Sequence, residues 1–242
     1  MKFSVLRNVF EKNENAAKEN RALFDANNVC CVNLLGGAGS GKTSVLESLI
    51  PILTDSKRIA VLEGDLATTR DAERIAALGV PVVQLLTEGG CHLNATLVSH
   101  ALKELPLAEI DLLIIENVGN PICPANFDLG EHFRVAVLSV TEGDDKPSKY
   151  PLLFKDVAIV AVTKCDLLPF VRFNLAVVRE DIDRINPSVP IIGTAVPQND
   201  EPDGFLRLAE IILSRISGSA ATLLPLPQSD RDSRIIERTA QP

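Results

Sequence analysis

The sequence predicts an α/β protein built on a doubly wound, mostly parallel sheet with helices on both faces. Three observations lead there. Seven short apolar runs recur along the chain, segments with apolar residues at every third or fourth position lie between them, and the first run feeds a glycine-rich loop that opens a helix. A chain of 242 residues with 46% hydrophobic content can bury one sizeable core.

The elements follow in order. A helical segment over 10–27 precedes the first strand. Strands are expected at 29–35, 58–63, 81–85, 112–116, 135–140, 157–163 and 189–193, mostly continuous apolar stretches of the kind covered on both faces. Helices are expected over 43–53, 69–78, 92–105, 174–185 and 204–216, where apolar residues return with helical spacing. Beyond Ser217 prolines and small polar residues replace that pattern. The organisation is therefore an N-terminal helical segment (1–27), one α/β domain (28–217) and a C-terminal tail (218–242) with no assigned chemistry.

Composition narrows the function classes. With 24 basic and 32 acidic residues the net charge is −8, which argues against a broad nucleic-acid surface. No apolar run reaches the roughly 18 residues of a membrane helix, and the Lys/Glu-rich start lacks the apolar core of a signal peptide. A cytoplasmic protein without a membrane or nucleic-acid partner is expected. Five cysteines at scattered spacings do not read as a disulfide framework. Cys30 and Cys31 lie inside the first strand, so at least one of them reads as an inert buried side chain.

After that strand comes Gly36-Gly37-Ala38-Gly39-Ser40-Gly41-Lys42-Thr43, followed by Ser44 at the start of a helix. In a G-x-x-x-x-G-K-[ST] loop the glycines let successive N–H groups face inward on phosphates. Lys42 neutralises the β- and γ-phosphates, and the Thr43 hydroxyl ligates Mg²⁺. Residues 37–44 are the candidate phosphate grip, with the helix N-terminus adding its positive end.

Acidic residues that end strands near such a loop are candidates for Mg²⁺ or water. Asp65, in Glu63-Gly64-Asp65, is placed to contact Mg²⁺ directly or through water, or to orient the attacking water. Glu116 ends an apolar strand, and Gly119 three positions later lets the backbone approach a γ-phosphate, a spacing that matches a nucleotide switch with Glu116 as its acid. Taken singly, either acid is equally well a helix cap or a loop charge. Further on, Thr163-Lys164-Cys165-Asp166 is a variant of the Asn-Lys-x-Asp guanine signature. Asp166 would accept the guanine N1–H and exocyclic amine, and Lys164 would pack along the base. Thr194-Ala195 sits where Ser-Ala often supports recognition of the guanine carbonyl.

Cys91 and His92 open the segment after the third strand, and Cys123 follows the switch acid Glu116 by seven residues. Two thiolates and an imidazole suit Ni²⁺ or Zn²⁺ rather than Mg²⁺. Three ligands leave the set incomplete, so a second subunit or a water would supply the rest, and a dimeric metal site is expected. Alternatively, Cys91 and Cys123 are small buried hydrophobes and His92 a helix-start residue. Movement of the Glu116 loop would change metal geometry directly. His100 and His132 read as ordinary helix or loop residues.

The combination resembles the HypB family of hydrogenase nickel-incorporation GTPases, in the metal-handling branch of P-loop GTPases. It is carried over roughly residues 12–195 by Lys12-Asn13, Asn20-Arg21, the phosphate loop, Glu63-Gly64-Asp65, Asp71-Ala72-Glu73-Arg74-Ile75, Cys91-His92-Leu93, Glu116-Asn117-Val118-Gly119-Asn120, Cys123-Pro124-Ala125, Phe127-Asp128-Leu129-Gly130-Glu131, and Ser139 through Pro147. The resemblance implies a GTP-hydrolysing metallochaperone that dimerises with GTP and holds Ni²⁺ or Zn²⁺ at Cys91, His92 and Cys123 across the dimer. It also implies a HypA-like accessory partner and help in moving nickel to the nickel-iron hydrogenase large subunit. Lys42, Asp65 and Glu116 would be the catalytic set, with Thr43, Asp65 and Glu116 around Mg²⁺, and GTP or GDP in the loop. Asn94 stands where the family usually has Asp, a lost carboxylate expected to weaken the support around the metal ligands, and Pro121-Ile122 replaces Leu-Val. The sequence shown has no N-terminal Cys-x-x-Cys-Gly-Cys motif or histidine-rich tract.

No arginine finger is assigned, so slow intrinsic hydrolysis is expected. Lys146 is either a solvated lysine or a contact to nucleotide across the dimer. Three alternatives stand beside the main reading. One is a urease-type nickel GTPase, which would carry Cys-Pro-His instead of Cys91-His92. Another is a nucleotide-binding metal storage or sensor module. The third is an ATP-dependent kinase or ligase, against which Lys164 and Asp166 argue.

Overall fold

The computed structural model describes residues 4–65, 68–87, 90–195 and 204–217, with side chains from Glu11 onward; the tail predicted over 218–242 lies outside them. Seven strands form: β1 (Cys30–Gly36), β2 (Ile59–Asp65), β3 (Val82–Leu86), β4 (Leu112–Glu116), β5 (Phe133–Ser139), β6 (Ile159–Thr163) and β7 (Ile191–Gly193). They pair in parallel in the order β3-β2-β4-β1-β5-β6-β7, the doubly wound sheet the sequence predicts.

The helices are α1 (Ser4–Ala26), α2 (Lys42–Leu53), α3 (Arg70–Ala76), α4 (Ala95–Ala101), α5 (Lys146–Lys149), α6 (Pro151–Lys155), α7 (Leu175–Ile185) and α8 (Gly204–Ile216). One expectation is corrected. The helix predicted from residue 92 begins only at Ala95, because the Asn94 Oδ1 accepts the Leu97 N–H at 2.9 Å and caps it there. Cys91 and His92 therefore lie in a loop ahead of the helix. The short α5 and α6 had no periodic signal, being only four and five residues long.

Strand alternation sorts the core. Val32, Leu34, Ile59, Val61, Leu112, Ile114, Val135, Val137, Ile159 and Ala161 face α2 and α8. The intervening positions face the other way, Cys31, Ala60, Leu62, Leu113 and Ile115 toward α1 and α4, and Ala136, Leu138, Val160 and Val162 toward α6 and α7. Helix α1 is tied down by polar side chains as well as by buried Phe24. Asn13 Nδ2 donates to the Asp128 carbonyl at 2.8 Å, and its Oδ1 accepts from Ala95 N at 2.9 Å. Asn20 Nδ2 donates to the carbonyls of Ala95 and Leu129, each at 2.9 Å. Among the described residues, no helix is long and apolar enough to cross a membrane.

Candidate nucleotide and metal site

The carboxyl ends of the parallel strands gather the predicted residues along one edge of the sheet, where ligands collect in such folds. At the end of β1 the loop turns through Gly41, whose φ of +94° is strained for any residue with a side chain, and α2 begins at Lys42. Lys42 and Thr43 are each 7% exposed. The ammonium of Lys42 rests on the carbonyls of Gly37 (3.3 Å) and Gly36 (3.5 Å), and burial holds its pKa below the usual lysine value. Ser40 Oγ is buried without a hydrogen-bond partner. Ser44 lies on the exposed side, 3.4 Å from a guanidinium nitrogen of Arg74, which is held in turn by Glu47 and Asp71. Glu142, whose Oε2 accepts the Ser139 N–H at 2.8 Å, carries its other carboxylate oxygen over Gly37.

Beneath the first turn of α2 the Thr43 hydroxyl donates to Glu116 Oε1 at 2.8 Å. The register partner of Glu116 on β2 is Glu63 rather than Asp65. Both acids are almost fully buried, at 2% exposure for Glu63 and 4% for Glu116, and on each Oε2 has no partner. Burial pushes both carboxyls up to about 7, and the charge of Glu116 adds to the effect on Glu63. Two buried acids with unpartnered oxygens beside a threonine hydroxyl form a donor set of hard oxygens, the chemistry that Mg²⁺ takes. Asp65, at the end of β2, accepts from the Thr68 N–H (3.1 Å) and hydroxyl (2.7 Å).

The chain leaving Glu116 presses on the phosphate loop. A Cβ at Gly119 would stand 2.9 Å from Ala38 Cα, so only glycine allows this approach. At the other end of the loop Lys164 Nζ donates to the Gly39 carbonyl at 2.8 Å, and Thr163 Oγ1 donates to the Ser40 carbonyl at 2.6 Å. Asp166 Oδ1 is buried without a partner. Thr194 is buried, its N–H donating to Val162 (2.7 Å) and its carbonyl accepting from Cys165 N (3.0 Å), and Ala195 follows it. Thr163 and Lys164 thus hold the flank of the loop occupied by Gly39 and Ser40, and the bond from Cys165 N to the Thr194 carbonyl ties the end of β7 to the segment that carries Asp166.

Cys91, His92 and Cys123 converge, with one ligand atom from each lying within 4.8 Å of the others. Cys91 Sγ is 3.5 Å from His92 Nδ1, and the Cys123 thiol is pushed up chiefly by its hydrogen bond with Cys91. The imidazole stacks on Phe127 at a ring-centroid distance of 3.9 Å, and partial burial lowers its pKa, favouring the neutral form that can bind a metal. Cys91 is exposed and Cys123 half-buried, which removes the alternative reading of both as buried hydrophobes. By contrast, burial raises the thiols of Cys30 and Cys165 to about 11 and holds that of Cys31 well above the ordinary thiol value, so these three are inert. Asn94 acts as a helix cap, a task its amide performs as well as a carboxylate would.

Sequence reasoning used Glu63, Phe127, Asn13 and Asn20 to mark the family resemblance but gave them no part in the site. A charge inside an apolar strand, two positions before Asp65 and so on the same face, was the available signal for Glu63. His132 is also more than a loop residue: its Nδ1 accepts from Cys31 N at 2.9 Å and its Nε2 pairs with Asp25 at 3.0 Å. Lys146 Nζ lies 5.8 Å from the ring centre of Tyr150.

Residues 30–193 match the family model described as CobW/HypB/UreG, nucleotide-binding domain. The hydrogenase maturation factor HypB of Azotobacter vinelandii is 48% identical over 188 residues, which cover 78% of this chain and 62% of that protein, so the chain spans less than two thirds of this relative. The probable hydrogenase maturation factor HypB of Methanocaldococcus jannaschii is 43% identical over 208 residues, covering 86% of the chain and 93% of the relative. Among solved structures, HypB from Helicobacter pylori in complex with nickel is similar with a TM-score of 0.79 and 34% identity, covering 86% of this chain and 96% of that one.

Proposed function

This chain belongs to the HypB maturation factors of the CobW/HypB/UreG family, and from that premise we propose that it is a GTP-hydrolysing nickel metallochaperone serving nickel-iron hydrogenase. The observation that carries the reading is continuity. A single stretch of chain begins at Glu116, bonded to Thr43 of the phosphate loop, and arrives seven residues later at Cys123 beside Cys91 and His92. A nucleotide-dependent movement of that stretch displaces a metal ligand.

Each residue has a task. Lys42 exchanges the carbonyls of Gly36 and Gly37 for the β- and γ-phosphates, and the N–H groups of residues 37–44 line the same anion. Mg²⁺ would be held by Thr43 and Glu116, with Asp65 at the end of β2 contacting it directly or through water, and would supply charge neutralisation on the phosphates. Asp166 offers its unpartnered oxygen to the guanine N1–H and amine, while Lys164, Thr194 and Ala195 flank the base. Arg74 is engaged by Glu47 and Asp71, so hydrolysis without a partner is slow. The cargo, Ni²⁺ or Zn²⁺, is held by Cys91, His92 and Cys123, and a second copy of the chain supplies the open positions when GTP favours a homodimer. A HypA-like protein and, indirectly, the hydrogenase large subunit are the partners. Residues 28–217 form the working domain.

The test is a titration of the reduced protein with Ni²⁺ and Zn²⁺ in GDP and in a non-hydrolysable GTP analogue, with Cys91→Ala and Cys123→Ala alongside and phosphate release measured in GTP. Metal affinity that differs between nucleotides and disappears in both variants is expected. Tight metal binding without turnover would favour the storage or sensor reading, and affinity indifferent to nucleotide would sink the gated carrier.

A further inference from the structure

We propose that Asn33, Asn117, Glu131 and Arg134 form a buried positioning relay that transmits the state of the nucleotide switch to both metal-bearing loops. The proposal rests on the nucleotide-gated metal reading above and names the residues that carry the gating.

Asn33 is the anomaly that starts the argument. It occupies the middle of β1, the central strand, where its neighbours Cys31, Val32, Leu34 and Leu35 are all buried, and it is itself fully buried. A buried amide there is costly unless every bond is met. Its Nδ2 donates to Glu131 Oε1 at 3.2 Å, and its Oδ1 accepts from Asn117 Nδ2 at 3.3 Å. Asn117 is the residue after Glu116, is 1% exposed, and its own Oδ1 accepts from Leu93 N at 3.4 Å and Val118 N at 3.0 Å. Leu93 directly follows His92. One arm of the network thus runs from the switch acid to the Cys91-His92 loop.

The other arm runs through a buried ion pair. Glu131 is 3% exposed, its Oε2 accepts from Leu129 N at 2.7 Å, and its Oε1 takes the Arg134 Nε–H. Arg134, the register partner of Asn33 on β5, spends its remaining fork on two carbonyls, Ala125 at 3.1 Å and Phe127 at 3.0 Å. Those carbonyls belong to the loop that carries Cys123, and the Phe127 ring is the one stacked on His92. Both arms meet at Asn33 and Asn117, next to the stretch whose Gly119 touches the phosphate loop. A shift of Glu116–Gly119 therefore strains bonds to both metal loops at once, while the alternating apolar packing around them stays in place.

The test measures coupling rather than folding. Nickel Kd is determined for the full chain in GDP and in a non-hydrolysable GTP analogue, together with nucleotide Kd without metal, for the wild type, Arg134→Lys and Asn33→Leu. Arg134→Lys retains the charge beside Glu131 but gives up the two carbonyl bonds, and it keeps the test open where Asn33→Leu fails to fold. We expect a wild-type ratio of nickel Kd values between nucleotide states of about 5–150-fold, the usual range for coupled sites, collapsing to within about twofold of unity in the variants. Metal-free nucleotide affinity should stay within about threefold of wild type. Variants that keep the wild-type ratio, or that lose nickel and nucleotide affinity together in both states, overturn the relay and leave these residues purely structural. A wild-type ratio of one would remove the gated reading itself, and the relay with it.

Discussion

The buried pair Glu63 and Glu116 makes the protein's stability depend on pH in a direction opposite to that of ordinary surface carboxylates. Both carboxyls titrate near 7 in the fold against 4.5 for the unfolded chain. Below pH 4.5 both states hold the proton and nothing is lost. Between 4.5 and 7 the unfolded chain ionises while the fold keeps its protons, so stability falls as pH rises, and above 7 the loss is complete. At about 1.4 kcal/mol per pKa unit, one such group costs about 3 kcal/mol across that window. For a domain of this size that is about 6–12 °C in Tm. Glu63→Gln removes one titrating group. The metal-free, nucleotide-free variant should therefore gain on the wild type by that amount as pH goes from 4.5 to 8, read by differential scanning calorimetry. Melting curves of wild type and variant that run parallel through the whole range would refute the reasoning.

Three further outcomes are expected. Gly119→Ala drives a methyl into the phosphate loop at Ala38; overpacking of about 1–3 kcal/mol converts to nucleotide binding weaker by about 5–150-fold in equilibrium dialysis, and an unchanged Kd would show that the loop yields freely. Phe127→Ala removes the stack on His92, worth about 0.5–1.5 kcal/mol, so calorimetric nickel affinity should drop about 2–10-fold with nucleotide affinity unmoved; equal losses in both would point to misfolding of the loop. On the proposed guanine reading, Asp166→Asn turns one of the two acceptor oxygens offered to the base into a donor, and competition binding should show the expected preference for GTP over ATP falling by about tenfold or more, whereas an unaltered preference would place base recognition elsewhere.

The architecture was legible because its signals are local. Each strand is a run of apolar residues bounded by polar ones, and alternate residues of β1, β2, β4, β5 and β6 do pack against opposite helix layers. The phosphate loop was legible because Gly41, Lys42 and Thr43 are consecutive and each type meets a separate demand. What escaped was everything decided by register between distant segments. Nothing near Glu63 says that it pairs with residue 116, and nothing near Phe127 says that it stacks on residue 92. The late start of α4 was missed for a different reason. The apolar spacing of 92–105 continues through Leu93, which is buried, although Asn94 caps the helix after it.

The two proposed cation sites differ in a way that bears on whether the protein stores metal or passes it on. Ni²⁺ outcompetes Mg²⁺ for most oxygen donors, so carboxylates alone would not keep nickel off the nucleotide site. Glu116 is nearly buried, hydrogen-bonded to Thr43 and pushed up to about 7, so a divalent cation of either kind has to displace its proton to bind there. The thiol and imidazole set is built the other way. Cys91 is exposed, Cys123 half-buried, and the three ligands sit on loops rather than within strands or helices. A storage site gains from four enclosed ligands, as structural zinc sites do. Three ligands at a surface leave a position through which another thiol or imidazole can enter before the first set lets go. That openness is what the proposed carrier needs, and on that reading the point of release would be the loop that Arg134 clamps through the Ala125 and Phe127 carbonyls.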